Sequence, residues 1–374
     1  MGWVGKLAVG AAVAVVVAGV AGCEGGGGGG GAPSEAAAKP SVTPAPPLVI
    51  TQEEAEKVFS RYERERRTPP QWKDADGIAE VTTGPLLAEQ KTETFLRKAR
   101  GDRDGSVSGL VNPSFVLPAE RDQPSYPRSF AVFSKAAGRE DGQVAAVHYF
   151  VQEAAGGEWK AAVESWVATA GTVPLGFDDV SPLASLRVQL RKAPVAAASR
   201  DAAGAAVLSP TAEADRGVCG RYAEYLSFTT PDGEPDSEEF APGPLTDEAV
   251  RELNARAEEP KLKGLARYTY AHEVTGPQLP VLKLDDGRSL VACPLLRAER
   301  EAGTSGDVTI KLAEPSDLSA LLDAKGKKWS RTDSKLSLTA LIELPPAGTP
   351  GPAEVAACNC ARPQLLEATG VRAD

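Results

Sequence analysis

The sequence predicts an α+β fold built as two tandem domains, each with helices packed on a curved antiparallel sheet. Three observations predict it. Helical periodicity comes before strand alternation, that order occurs twice, and short residue echoes recur at matching places in the two halves. The first domain is expected over residues 49–172 and the second over 211–374, with 173–210 as the segment between them.

Within the first domain, Thr51-Gln52-Glu53-Glu54 supplies a helix N-cap with carboxylates in the first turn. Ala55, Val58, Phe59 and Tyr62 then recur at helical spacing until Pro69-Pro70 stops the helix. Leu86 to Arg100 reads as a second helix ended by Gly101. Alternation follows in Arg128 to Phe133, Val144 to Gln152 and Trp159 to Val167. The intervening turns fall at Gly138 to Gly142 and at Gly156-Gly157. Within 173–210, Pro194 to Ser199 and Ala205 to Leu208 read as a hairpin around Ala203-Gly204.

In the second domain, Ala214 to Leu226 and Thr246 to Arg256 read as helices. Leu265 to Val274, Leu279 to Leu284 and Ser289 to Leu296 read as strands, with Asp286-Gly287 turning the last two as a hairpin of positive-φ residues. Ala313 to Ala324 reads as a short helix and Lys328 to Leu344 as a long strand. Val58-Phe59-Ser60-Arg61-Tyr62 echoes Val218-Cys219-Gly220-Arg221-Tyr222, and Gly84-Pro85-Leu86 echoes Gly243-Pro244-Leu245. Trp159 and Trp329 each open a late strand. These echoes predict a duplication. Helices followed by a curved antiparallel sheet resemble the NTF2-like superfamily, with cystatin-like folds as the rival. The first resemblance implies a pocket within each sheet.

Residues 1–22 differ from everything after them. Lys6 is the one charge before Cys23, and Leu7 to Gly22 is an uncharged run of Ala, Val, Gly and Leu. That is the pattern of an export leader, too short for a comfortable membrane span of roughly 20 apolar residues. Val20-Ala21-Gly22-Cys23 looks like the lipobox of bacterial lipoproteins. The resemblance implies cleavage before Cys23, diacylglyceryl transfer to its thiol and fatty acylation such as palmitate. Residues 23–48 are the lipidated cysteine and a Gly-, Pro- and Ala-rich tether, with a relaxed span of about 25–30 Å. Leader, tether and composition together resemble the uncharacterised secreted lipoproteins of actinobacteria. They imply a location on the extracytoplasmic face of the cell membrane.

The formal net charge of −10 argues against nucleic acid as a partner, because such binding depends on clustered Lys and Arg. The remaining cysteines, Cys219, Cys293, Cys358 and Cys360, read as disulfide candidates in an exported chain. A bridge within Cys358-Asn359-Cys360 is strained. The favoured pairing therefore joins Cys219 and Cys293 each to one cysteine of the tail.

No catalytic motif stands out. There is no Gly-x-Ser-x-Gly elbow and no His-Glu-x-x-His. Asp74-Ala75-Asp76-Gly77 opens like a calcium loop, but Pro85 stands where a bidentate Glu is required. No metal or cofactor is expected. His272, on one strand face with Tyr268 and Tyr270, and His148 are the candidates for acid–base work, each needing a carboxylate partner. For His272 the favoured reading is an aromatic stripe packed under a helix. The run Arg61 to Arg67 reads as a solvated helix face.

The expected function is binding of a cell-envelope protein or small ligand without catalysis. A hydrolase or isomerase using a His–carboxylate pair is the alternative, and a transport-type solute-binding lipoprotein is the third. That last reading fits poorly with helices grouped ahead of strands.

Overall fold

A computed structural model describes residues 46–68, 75–100, 109–137, 144–168, 195–258, 264–305, 308–312, 316–324, 326–359 and 363–373. The leader, Cys23, most of the tether, Gly138 to Gly142 and Cys360 lie outside the described residues.

The chain enters the body at Pro47–Val49, tied down by hydrogen bonds from Glu120 N to Pro47 O and from Val49 N to Pro118 O. Helix α1 (Gln52–Arg66) follows. Its N-terminus is a reciprocal capping box between Thr51 and Glu54, which satisfies two amides that no helical carbonyl reaches. Ala55, Phe59, Tyr62 and Arg66 are its buried positions, spaced to share one face. The basic run is therefore not wholly a solvated face. Helix α2 (Ala75–Val81) takes Asp76-Gly77 into its first turn, so that stretch is not a loop. Helix α3 (Gly84–Arg100) comes next.

Strands β1 (Leu110–Val116), β2 (Arg128–Ala136), β3 (Val144–Gln152) and β4 (Trp159–Ala168) form a four-stranded antiparallel meander. One face carries Phe130, Val132, Ala146 and Phe150 against Phe59 and Tyr62 of α1. Phe130 and Phe150 stack at 5.0 Å, and Phe59 meets Phe150 edge-on. The opposite face carries Ala131, Val147, Tyr149 and Val151. A bulge between Tyr149 and Phe150 on the β3–β4 register turns both Ala162 and Val163 to that side.

The joining segment is described from residue 195 onward. It makes a turn closed by Asp201 N to Ala205 O and Gly204 N to Asp201 O, with bridges from Ala198 to Leu284 and from Leu208 to Leu282.

Helix α4 (Ala212–Tyr225), strand β5 (Phe228–Thr229) and helix α5 (Asp247–Glu258) precede a second antiparallel sheet. It comprises β5, β6 (Ala266–Val274), β7 (Leu282–Lys283), β8 (Ser289–Gly303), β9 (Trp329–Leu344), β10 (Glu354–Cys358) and β11 (Gln364–Arg372). Helix α6 (Asp317–Leu321) intervenes before β9. The Asp286-Gly287 hairpin forms with a different turn. Leu284 N bonds Arg288 O, and Gly287 alone has positive φ (89°). The loop is thus Asp285-Asp286-Gly287 rather than a two-residue type I′ turn.

Val218, Cys219 and Tyr222 of α4 pack on Val291, Cys293, Leu295, Leu338, Ala340 and Ile342 of the second sheet. The other face of that sheet contributes Leu290, Ala292 and Leu341. These join Val147, Tyr149, Val151 and Val163 of the first sheet in a shared core. Residues from Ala45 onward form one compact unit. Its layers run α1, first sheet, second sheet, α4, so this is an α+β body with two antiparallel sheets back to back. Of the echoed segments, Val58 to Tyr62 and Val218 to Tyr222 fall on α1 and α4, the helix crossing each sheet, and both of their tyrosines are buried.

Cys219 on α4 and Cys293 on β8 bond to each other, with Cα atoms 5.3 Å apart. This corrects the favoured pairing with the tail. The reason is topological: α4 crosses β8 and places the two side chains in one core, which spacing along the chain does not reveal. Cys358 is also disulfide-bonded.

Candidate functional site

The cross-strand register sets His148 of β3 opposite Glu164 of β4, on the face that α1 covers. Tyr62 Oη donates to Glu164 Oε2 at 2.7 Å, and His148 Nε2 lies 3.3 Å from the same oxygen. That second contact has ion-pair separation but not hydrogen-bond direction, and neither ring nitrogen of His148 has a hydrogen-bond partner among the described residues. The ring is fully buried between Phe59, Tyr62 and Phe150. Arg66, 6% exposed, pairs with Glu63 at 2.9 Å, and Glu63 also accepts from Leu110 N at 2.8 Å.

These neighbours decide the charge of Glu164. Burial pushes its carboxyl up. His148, the Arg66 charge and the Tyr62 hydroxyl more than offset that, and hold it down at about 2. Tyr62 is pushed well up, by burial first and by the Glu164 charge second. The result is a carboxylate under α1 that is ionised at ordinary pH.

A second carboxyl belongs to the same neighbourhood. Glu89 of α3 accepts a 2.6 Å hydrogen bond from Ser337 Oγ of β9. Burial raises it to about 7, with Ser337 working against the shift and the Glu164 charge adding to it. Two carboxyls, one held ionised and one raised by burial to about 7, thus feel one another's charge across the α3 side of β4. Nothing in the sequence around Glu89 marks it; it appears only when α3 is placed against the second sheet.

His272 lies elsewhere. Tyr268 and Tyr270 of β6 are buried against Phe228 and Leu253 of α5, which is the aromatic stripe under a helix that the alternation predicts. His272 is half-buried at the end of this stripe, and its backbone N donates to Ser227 Oγ at 2.8 Å. Burial and then the charge of cross-strand Arg297 lower its pKa to about 3, so the ring is neutral at ordinary pH. The carboxylates nearby are engaged with other groups. Glu299 takes Arg297 at 2.8 Å and Arg256 at 3.2 Å, and Glu301 accepts from Tyr268 Oη at 3.0 Å.

On the outer face of α1, a surface hollow of ≈ 500 Å³ is lined by Glu53, Glu56, Lys57, Ser60, Arg61 and Arg64. Its lining is of mixed sign, and Arg61 is bridged at 3.0 Å to both Glu80 and Glu158. Among the described residues, no cluster of three or more His, Cys, Asp or Glu is arranged to hold a metal ion. No helix among them is long and apolar enough to cross a membrane.

No curated protein and no solved structure matches the chain. A family model described as a domain of unknown function, DUF8094, matches residues 46–364, which takes in α1 through the first residue of β11, with Glu89, His148 and Glu164 inside the match. The chain belongs to the DUF8094 family.

Proposed function

We propose that this protein is a lipid-anchored lipoprotein of the extracytoplasmic face of the cell membrane, whose body binds a cell-envelope partner or small ligand without catalysis. The body consists of tandem NTF2-like or cystatin-like halves. The lipobox-like Val20-Ala21-Gly22-Cys23 supports the anchor. The observation that carries the non-catalytic reading is the closure of the His148–Glu164 pair, whose imidazole has no solvent contact. A solute-binding receptor fits poorly, because both sheets are antiparallel and share one core.

Labelling with a fatty-acid analogue tests the anchor. Cys23→Ala abolishes acylation and releases the protein from the membrane fraction; a variant still acylated at the wild-type level overturns it. Carbethoxylation tests the rest: His148 stays unmodified in the native protein. Modification at the rate of free imidazole would favour the second reading, a hydrolase or isomerase. That reading draws on the same His148–Glu164 contact of 3.3 Å.

A further inference from the structure

Strand β8 takes one edge of β9, and β10 and β11 share the other. β10 buries three of its five residues, but β11 is held more loosely. Of its nine residues Leu365 alone is buried, while Glu367, Thr369, Val371 and Arg372 are exposed. Its register on β9 breaks twice, between Leu365 and Glu367 and between Val371 and Arg372. Lys335 meets Glu367 at 2.9 Å with both side chains more than half exposed, and Thr92 Oγ1 reaches Leu366 O at 3.4 Å. Asn359 Oδ1 accepts from Thr339 N at 2.7 Å, which fixes the chain to β9 before β11 begins. The family match ends at the first residue of β11.

The β9 edge nevertheless selects particular side chains. Leu365 lies opposite Leu336, and both are buried. A Cβ added to Gly370 would lie 2.5 Å from the Trp329 ring and 3.2 Å from Arg331 O, so the place takes glycine alone. The Arg372 guanidinium stands 6.0 Å from the centre of the same indole.

We propose that the β9 edge from Trp329 to Ser337 is a strand-docking groove that β11 fills reversibly, and that its occupant in trans is β11 of a second copy. A strand that buries so little apolar surface opens ahead of the core. The bared edge then pairs with an extended segment through main-chain hydrogen bonds, and alternate side chains set the choice. A second copy supplies the leucine, the carboxylate for Lys335, the glycine that clears Trp329 and the arginine over its ring. Strand exchange goes beyond the proposed binding role and does not depend on lipidation.

The probe is a synthetic peptide of residues 363–373, added to the full chain and followed through the β9 amide shifts by NMR. The cis strand competes at an effective concentration of roughly a millimolar, so the peptide is expected to bind with an apparent Kd of that order. A peptide carrying Gly370→Val and a scrambled peptide are expected not to bind. Gly370→Val in the protein weakens the cis strand, and the natural peptide is then expected to bind about tenfold tighter or more. Should that variant fail to fold, the three peptides on the wild-type chain decide. Two preparations of different isotopic mass, held together at about a millimolar, are expected to give mixed dimers in native mass spectrometry. No saturable binding of the natural peptide, equal binding of either altered peptide, or an absence of mixed dimers overturns the proposal.

Discussion

Replacing Cys219 and Cys293 together by alanine removes the one bond that fixes α4 to the central strand β8. The bridge closes a loop of 74 residues. In the chain-entropy treatment, releasing a loop of that length from the unfolded ensemble costs about 4.4 kcal/mol of stability at 25 °C. The two sulfurs are buried, at 4% and 0% exposure, so small voids add to the loss. The assay is urea unfolding of oxidised wild type and the double variant. Because the cross-link acts on the unfolded chain, the variant is expected to show a lower midpoint and a larger m value, reflecting a more expanded denatured state. A loss below about 1 kcal/mol with an unchanged m value would refute this reasoning. The Cys358 disulfide stays intact in both proteins, which is why substitution is preferred to reduction.

Other outcomes follow from the same geometry. Glu164 has a folded pKa of about 2 against an ordinary 4.5, so its stabilisation is full above pH 4.5 and is lost as pH falls through 2. It amounts to about 3 kcal/mol. Urea midpoints at pH 3 and 6 are expected to diverge in wild type and to converge in Glu164→Gln. His272 has a depressed pKa near 3, so folding is favoured above pH 6.5 and progressively penalised below it. With two histidines in the chain, NMR is expected to show the His272 ring still neutral at pH 5; protonation there would refute the burial argument. Gly276 holds φ at +77°, and a Cβ added to it would lie 2.9 Å from Pro85 Cγ. Gly276→Ala is expected to lose about 1–3 kcal/mol in thermal unfolding.

The elements readable in the sequence were those with one clear local cause. The Thr51–Glu54 capping box marked α1, and unbroken alternation marked β2, β3 and β4. Strand β1 was missed because Asn112 sits at φ 52° and a register shift between Val111 and Ser114 breaks its period. Helix α2 is seven residues long and contains Gly77, so neither length nor propensity announced it. Strands β10 and β11 lie among the Gly, Pro and Cys of the tail, and β9 recruits both of them along one edge. His148 was visible as a candidate but its partner was not, since Glu164 becomes opposite only through the β3–β4 register. Glu89 and the Cys219–Cys293 bond needed tertiary placement, which residue spacing does not encode.

The apolar layer shared by the two sheets has a consequence for how this chain can be divided. Val147, Tyr149, Val151 and Val163 on one side meet Leu282, Leu290 and Leu341 on the other. Either half made alone would present that layer to water and would tend to self-associate. A backbone cut between residues 168 and 195 is therefore expected to leave a non-covalent pair that co-elutes, and separately produced halves to regain a native spectrum only when mixed.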